Sequence, residues 1–264
     1  MLRGAIIDLD GTVYVGEDIL DGARVGIEML NEAGVDLLFL SNNPVKSGQR
    51  YIERLIESGL DVSESEAYSS GDVTVSYLHD HHDDDRILCI GSEGLCDQLQ
   101  AVGLELVDSP PCDVVIASWT AGFDYDDMRR TLAAADDDTV FLGTDPDRTY
   151  QATGDVLVPG SGAIIGALAA TLGRDPDAIL GKPSAVTRNR ALARLGHSPE
   201  ECLVVGDRLD TDLAMGERAG MTTALVLTGV TERQDVEDSP VQPDYVLEDL
   251  GEVDRVLDDF GTES

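Results

Sequence analysis

Asp8 and Asp10 stand two residues apart at the end of the apolar run Ala5-Ile6-Ile7, and Gly11 and Thr12 come directly after them. In an extended strand residues i and i+2 share a face, so both carboxylates can reach one site beyond the strand's C-terminal edge. Ligands of α/β sheets usually bind there. An aspartate can accept a phosphoryl group when a cation offsets the like charges and a second acid protonates the departing oxygen. Gly11 permits a sharp turn directly after the pair. A solvated acidic strand end would read the same way, so the order of the later segments of the chain has to decide.

Three of those segments end strand-like apolar runs of their own. The run 35–40 leads into Ser41-Asn42-Asn43, one hydroxyl and two amides. Ser41 can donate to a phosphoryl oxygen, although the same residues before a proline also suit an ordinary turn. The run 178–180 leads into Gly181-Lys182-Pro183, where a compact ammonium can hold an aspartate and a phosphate together. Taken alone, such a lysine would be surface decoration. The run 202–205 leads into Gly206-Asp207-Arg208-Leu209-Asp210-Thr211-Asp212, a set of hard oxygen donors of the kind Mg²⁺ prefers. The plainer alternative is a helix N-terminus with acids in its first turn.

In this order along one chain, the four segments resemble the haloacid-dehalogenase-like superfamily, and within it the NagD-type branch of phosphatases. Residues 8–14 look like its first motif, 41–43 its second, 181–183 its third and 206–212 its fourth, while 220–231 is similar to the branch's C-terminal core. The resemblance implies a two-step, Mg²⁺-dependent hydrolysis of small phosphate monoesters in which Asp8 is the nucleophile and becomes an aspartyl-phosphate. Asp10 would protonate the leaving alcohol and then activate the attacking water. Mg²⁺ would be held by the Asp8 carboxylate, the Asp10 backbone carbonyl and Asp207, with Asp212 ordering a metal-bound water or bonding Lys182. Ser41 and Lys182 would bind the transferring phosphoryl, with Asn42 and Asn43 lining the same pocket. The acid at position 10 disfavours the dehalogenase branch. Two other readings share the chemistry: a phosphomutase or phosphotransferase using the same aspartyl-phosphate, and a non-enzymatic, receiver-like phosphate-binding regulator, which gives no reason for a large insertion.

The elements that must position these residues alternate between strand and helix patterns, which predicts parallel sheets wrapped by helices, an α/β doubly wound Rossmann-like core. Strands are expected at 5–9, 36–40, 86–90, 113–117, 139–143, 155–158, 201–205 and 222–227, and helices at 23–32, 47–58, 93–101, 125–135, 163–171 and 185–194. The first two motifs precede residue 45 and the last two come after residue 180, so the intervening chain leaves the site and returns. This predicts a core in two parts, 1–79 and 179–264, with an inserted α/β cap over 80–178, a class II cap in the terms of the resemblance.

Composition narrows the partners. The 264 residues hold 18 Lys and Arg against 52 Asp and Glu, a net charge of −34, which disfavours nucleic acid or an anionic membrane as a partner. A small phosphorylated metabolite is expected instead, and a homo-oligomer is compatible with the sequence. Such a surface repels itself in dilute buffer, whereas near molar salt the Debye length falls to about 3 Å. The acid-rich, lysine-poor composition resembles that of proteins from extreme halophiles and predicts salt-dependent folding. Neither a secretory leader nor a membrane-length apolar stretch is evident, so a cytoplasmic location is expected. Cys89, Cys96, Cys112 and Cys202 lack paired C-x-x-C spacing and read as free thiols. His79, His81 and His82 beside Asp83, Asp84 and Asp85 read as a solvated helix end and loop rather than a metal site.

Two segments of the expected insertion bear on ligands. Residues 158–166 echo a dinucleotide-binding turn, but the βαβ unit that fingerprint needs is missing from the sequence around it. Gly143-Thr144-Asp145-Pro146-Asp147-Arg148 is similar to a Thr-Asn-Pro-Asp element of the family, with Asp145 where Asn is usual. That exchange is expected to add negative charge beside the substrate, with residues 119–124 also lining the cleft.

Overall fold

The computed structural model describes residues 1–63, 65–152 and 156–261. The chain divides into two compact units, one formed by Met1–Ser41, Gly48–Tyr68 and Arg188–Ser264, the other by Asn42–Ser47 and Ser69–Thr187.

The first unit is built on a six-stranded sheet in the order Tyr245–Leu247, Thr222–Val226, Cys202–Gly206, Gly4–Ile7, Asp36–Ser41 and Glu66–Ser69. Gly4–Ile7 pairs in parallel with Asp36–Ser41 on one side and with Cys202–Gly206 on the other. Chain order therefore reverses beside Gly4–Ile7, and such a switch point opens a crevice at the strands' C-terminal ends. Gly4–Ile7 and Cys202–Gly206 are buried throughout their length, as expected of parallel strands covered on both faces. Ala5, Ile7, Leu37, Phe39, Leu203, Val205, Ala224 and Val226 share one core with Ala23, Ile27 and Leu30 of the helix Asp21–Glu32 and with Tyr51 and Leu55 of the helix Gly48–Glu57. Those helical residues recur at spacings of three and four, the stripe a helix needs to lie on a sheet.

The second unit has its own parallel sheet, ordered Ala178–Ile179, Val140–Gly143, Val114–Ala117, Arg86–Ile90 and Glu105–Leu106. Leu88, Ile90, Val115, Ala117 and Phe141 pack with Ile164, Ile165 and Leu168 from the helix Ser161–Leu172. A separate antiparallel pair joins Thr149–Ala152 to Val156–Pro159. Of the strand expected at 155–158, residue 155 lies outside the described residues. The Gly-rich turn after Val156–Pro159 leaves an antiparallel strand, and the N–H groups of Gly160 and Gly162 donate to the carbonyls of Arg148 and Asp147, both at 2.9 Å. Those amides are committed within the protein and are not arranged as the phosphate-binding turn of a parallel βαβ unit. No helix of the described residues is long and apolar enough to cross a membrane.

Candidate active site

Strand register explains why two distant aspartates meet. Ile7 lies opposite Val205, and the Asp8 N–H donates to the Val205 carbonyl at 2.9 Å. Asp8 and Asp207 thus leave neighbouring parallel strands at the same edge. Asp212 joins them through local helix geometry: Leu209–Leu213 forms a single wide π-type turn, closed by a 3.2 Å bond from the Leu213 N–H to the Arg208 carbonyl. Such turns concentrate at functional sites because they re-aim side chains. Leu209 and Leu213 anchor it in an apolar cluster with Leu225. Asp8, Asp207 and Asp212 are all buried, and one carboxylate oxygen from each lies within 4.8 Å of the other two.

Small residues make room for this cluster. A Cβ on Gly206 would overlap the Asp212 side chain, and one on Gly229 would overlap Asp207. Gly11 adopts φ +85°, and a Cβ there would stand 2.6 Å from Asp207 Oδ2. The Thr228 hydroxyl donates to the Gly11 carbonyl at 2.6 Å, and the Val230 N–H donates to Asp207 Oδ2 at 2.7 Å. The segment 228–230 therefore fixes both the turn after Asp10 and one oxygen of Asp207. Nothing in the spacing of Thr228, Gly229 and Val230 announces that role, since the contact spans more than 200 residues of chain.

Asp10 is exposed where Asp8 is buried. Its Oδ2 faces the Ser41 and Tyr14 hydroxyls, each at 3.5 Å. Tyr14 is buried beneath the Arg54 guanidinium, which sits 4.0 Å over the ring centroid. Burial first, and the Asp10 charge second, push the Tyr14 hydroxyl well above its ordinary value, so it keeps its proton and can only donate towards Asp10. Tyr14 and Arg54 are supporting residues that motif spacing alone does not assign.

Three hard carboxylate donors so close together fit a small divalent cation, whose charge also offsets their mutual repulsion. The exposed acid beside them is suited to moving a proton to and from a leaving oxygen.

Asn42, Asn43 and Lys182 belong to the second unit. Asn42 Oδ1 accepts from the Lys182 N–H at 2.8 Å, while Asn42 Nδ2 donates to the Lys182 carbonyl at 3.2 Å and faces Asp147 Oδ1 at 3.4 Å. Asn43 Oδ1 accepts from the Val45 N–H at 3.1 Å, the turn chemistry that its position before a proline suggests. The Gly181 N–H donates to the Thr144 carbonyl at 2.7 Å. Lys182 itself is only 2% exposed.

Asp145 departs from expectation. Its carboxyl is buried, with Oδ2 accepting from the Thr144 hydroxyl at 3.0 Å and Oδ1 facing the Asp147 N–H at 3.3 Å. Loss of water, and then the nearby Asp147 charge, push it up to about 8 against the opposing bonds from Ser161 and Thr144. The side chain is therefore mainly neutral at pH 7, and the exchange of Asn for Asp adds no full negative charge there. The resulting carboxylic acid is close to isosteric with the amide it replaces. Trp119 packs edge-on to Tyr150, with ring centroids 6.1 Å apart, and its main-chain N–H donates to Ser161 Oγ at 3.1 Å.

The described histidines form no metal cluster with the neighbouring acids: Asp8, Asp207 and Asp212 are the group of three or more His, Cys, Asp or Glu side chains that converges among the described residues. His82 pairs with Asp85 at 2.7 Å and lies 6.0 Å, ring to ring, from Tyr77.

The chain matches known proteins over nearly its whole length. A haloacid dehalogenase-like hydrolase model matches residues 5–105, and a second, HAD-hydrolase-like model matches 179–253. Sugar-phosphatase AraL of Bacillus subtilis is 30% identical over 97% of this chain and 93% of its own length. The p-nitrophenyl phosphatase from Archaeoglobus fulgidus has a TM-score of 0.88 at 34% identity, covering 97% of this chain and 99% of that one. NagD from Escherichia coli K-12 gives 0.81 at 28% identity, covering 95% and 98%. The likeness runs through both motif-bearing regions and the chain between them. This chain belongs to the haloacid dehalogenase-like hydrolases, in the company of the NagD-type phosphatases.

Proposed function

We propose that this phosphoric monoester hydrolase cleaves small phosphate monoesters, of the sugar phosphate, glycerol phosphate, phosphoglycolate or nucleotide type, through an aspartyl-phosphate on Asp8. The convergence of Asp8, Asp207 and Asp212 to within 4.8 Å, with Asp10 two residues beyond Asp8, carries the reading. An Asp8 oxygen attacks phosphorus as the bond to the leaving oxygen breaks, and Asp10 gives that oxygen its proton. Asp10, now a carboxylate, takes a proton from water as the water oxygen attacks phosphorus, releasing phosphate and restoring Asp8. Mg²⁺ held by Asp8, Asp207, the Asp10 backbone carbonyl and Asp212 would supply the positive charge that lets one anion attack another.

The reading assigns Ser41 and Lys182 to the oxygens of the transferring phosphoryl, where an oriented hydroxyl and a fixed ammonium stabilise developing charge. It assigns the insertion over residues 80–178 to selecting the leaving alcohol, because the core groups recognise the phosphate common to every substrate. The relatives' names, a sugar phosphatase and a p-nitrophenyl phosphatase, support the monoester class.

The test is phosphate release in molar KCl with Mg²⁺, against a panel of phosphomonoesters and p-nitrophenyl phosphate. Steady release supports hydrolysis. Isomerised product without release makes the protein a mutase, and binding without turnover makes it a regulator. Chelation of the metal should stop release and added Mg²⁺ should restore it. Asp8→Asn should lower kcat by about 10³-fold or more, the scale of losing a nucleophile, with its melting curve retained. A variant close to wild type would remove Asp8 from that role.

A further inference from the structure

The second motif puts Asn42 in line for the phosphate pocket, yet its side chain is engaged elsewhere. An amide has two N–H donors and one carbonyl acceptor. Here the carbonyl accepts from the Lys182 N–H at 2.8 Å, one donor reaches the Lys182 carbonyl at 3.2 Å, and the other faces Asp147 Oδ1 at 3.4 Å. The amide thus clasps both polar groups of one residue's main chain, as a neighbouring strand would. Its own main chain is held in turn, since the Ser70 hydroxyl donates to the Asn42 carbonyl at 2.6 Å. The site is tight: a Cβ on the preceding Gly181 would stand 2.7 Å from Asn42 Oδ1, 2.8 Å from the Thr144 carbonyl and 2.9 Å from Asp145 Cβ. With both donors directed within the protein, the Asn42 amide has none left for a phosphoryl oxygen.

We infer that Asn42 is a positioning residue, which fixes the direction of the Lys182 ammonium by bracketing the Lys182 peptide groups, and that it does not bind phosphate. The inference rests on the proposed role of Lys182. A lysine stem has four rotatable bonds, so an ammonium that must meet one phosphoryl group depends on a fixed Cα and a buried stem. Burial encloses the stem, and Asn42 fixes the main chain it starts from.

A double-mutant cycle in kcat/KM on p-nitrophenyl phosphate, in molar KCl with Mg²⁺, separates the possibilities. Asn42→Ala should lower kcat/KM by about 10- to 100-fold in the otherwise unchanged enzyme, the scale of losing an outer support. In a Lys182→Ala background the same change should cost less than about twofold, because no ammonium remains to misplace. An equal loss in both backgrounds would overturn the inference. Should Lys182→Ala itself keep nearly full activity, the proposed role of Lys182 fails first, a result distinct from additivity. Asn42→Asp covers the case in which the alanine variant does not fold. The new carboxyl can donate to the Lys182 carbonyl only when protonated, and the Asp147 carboxylate beside it favours that form. The activity of Asn42→Asp relative to wild type should therefore rise as pH falls, and a ratio independent of pH would also overturn the inference.

Discussion

In the first unit Asp8, Asp207 and Asp212 bury three carboxylates within 4.8 Å of one another, whereas in the second Asp145 is buried beside Asp147. The two clusters settle the same electrostatic problem differently. The first converges oxygens at the end of two parallel strands, a geometry that a divalent cation can satisfy. The second surrounds one carboxyl with a hydroxyl and a backbone N–H, and burial then favours the protonated form. A buried acid can thus be a metal ligand or a substitute amide, and its neighbours decide which.

Each cluster is made possible by a glycine, and exchanging the two glycines should separate their functions most widely. A Cβ on Gly206 would overlap the Asp212 carboxylate, so Gly206→Ala should weaken Mg²⁺ binding about 10- to 100-fold, as expected when support for a metal ligand is disturbed. A Cβ on Gly181 would press on Asn42 Oδ1 and the Thr144 carbonyl. Gly181→Ala should lower kcat while leaving Mg²⁺ affinity within about twofold, because the groups its Cβ would press on, Asn42, Thr144 and Asp145, are not among the converging aspartates. Calorimetric titration of Mg²⁺ into both variants checks this. Equal loss of metal affinity would show that the clusters do not act separately.

Salt bears on both units together. With a net charge of −34, self-repulsion opposes the folded state in dilute buffer, and screening at molar KCl removes most of it. Relief of a few kcal/mol should raise Tm by roughly 10 °C in a chain of this size. Thermal unfolding at fixed pH between dilute and molar KCl measures it, and an unchanged Tm would refute the halophilic reading.

The sequence disclosed the parts of this fold that depend on regular patterning and left out those that depend on long-range pairing. Residues 86–90 and 93–101 form the strand and helix expected of them, and the strand expected at 113–117 begins one residue later. The edge strands Glu66–Ser69 and Tyr245–Leu247 are only four and three residues long, too short to show a strand period, so pairing with a neighbour defines them more than composition does. The helix Ser70–His81 is expected only at its end, where the histidines lie, and its start is missed although Ser69 and Asp72 form a reciprocal capping box, with the Ser69 N–H on Asp72 Oδ2 at 2.8 Å and the Asp72 N–H on Ser69 Oγ at 3.1 Å. That spacing is a visible signal of a helix start. At the site, Asp8 and Asp207 are legible because each comes after a buried strand. The support from Thr228 and Val230 is not, because only the folded chain brings them to Gly11 and Asp207.

A further expected effect concerns Asp145 and bears directly on the contrast between its cluster and the three aspartates of the first unit. Its carboxyl is pushed up to about 8 in the folded protein, against about 4 in an unfolded chain. Between those values the folded state binds the extra proton, so this group's contribution to stability falls as pH rises from about 4 to about 8 and then levels off. Asp145→Asn keeps the shape and removes the titration. Its Tm should be near that of wild type at about pH 4, gain on it progressively to about pH 8, and stay ahead by a constant margin above that. Measurements at constant ionic strength are required, because screening alone moves Tm in so acidic a chain. Parallel Tm curves for the two proteins across this range would mean that Asp145 is ionised when buried. The distinction between a converging carboxylate and a substitute amide would then fail at this residue.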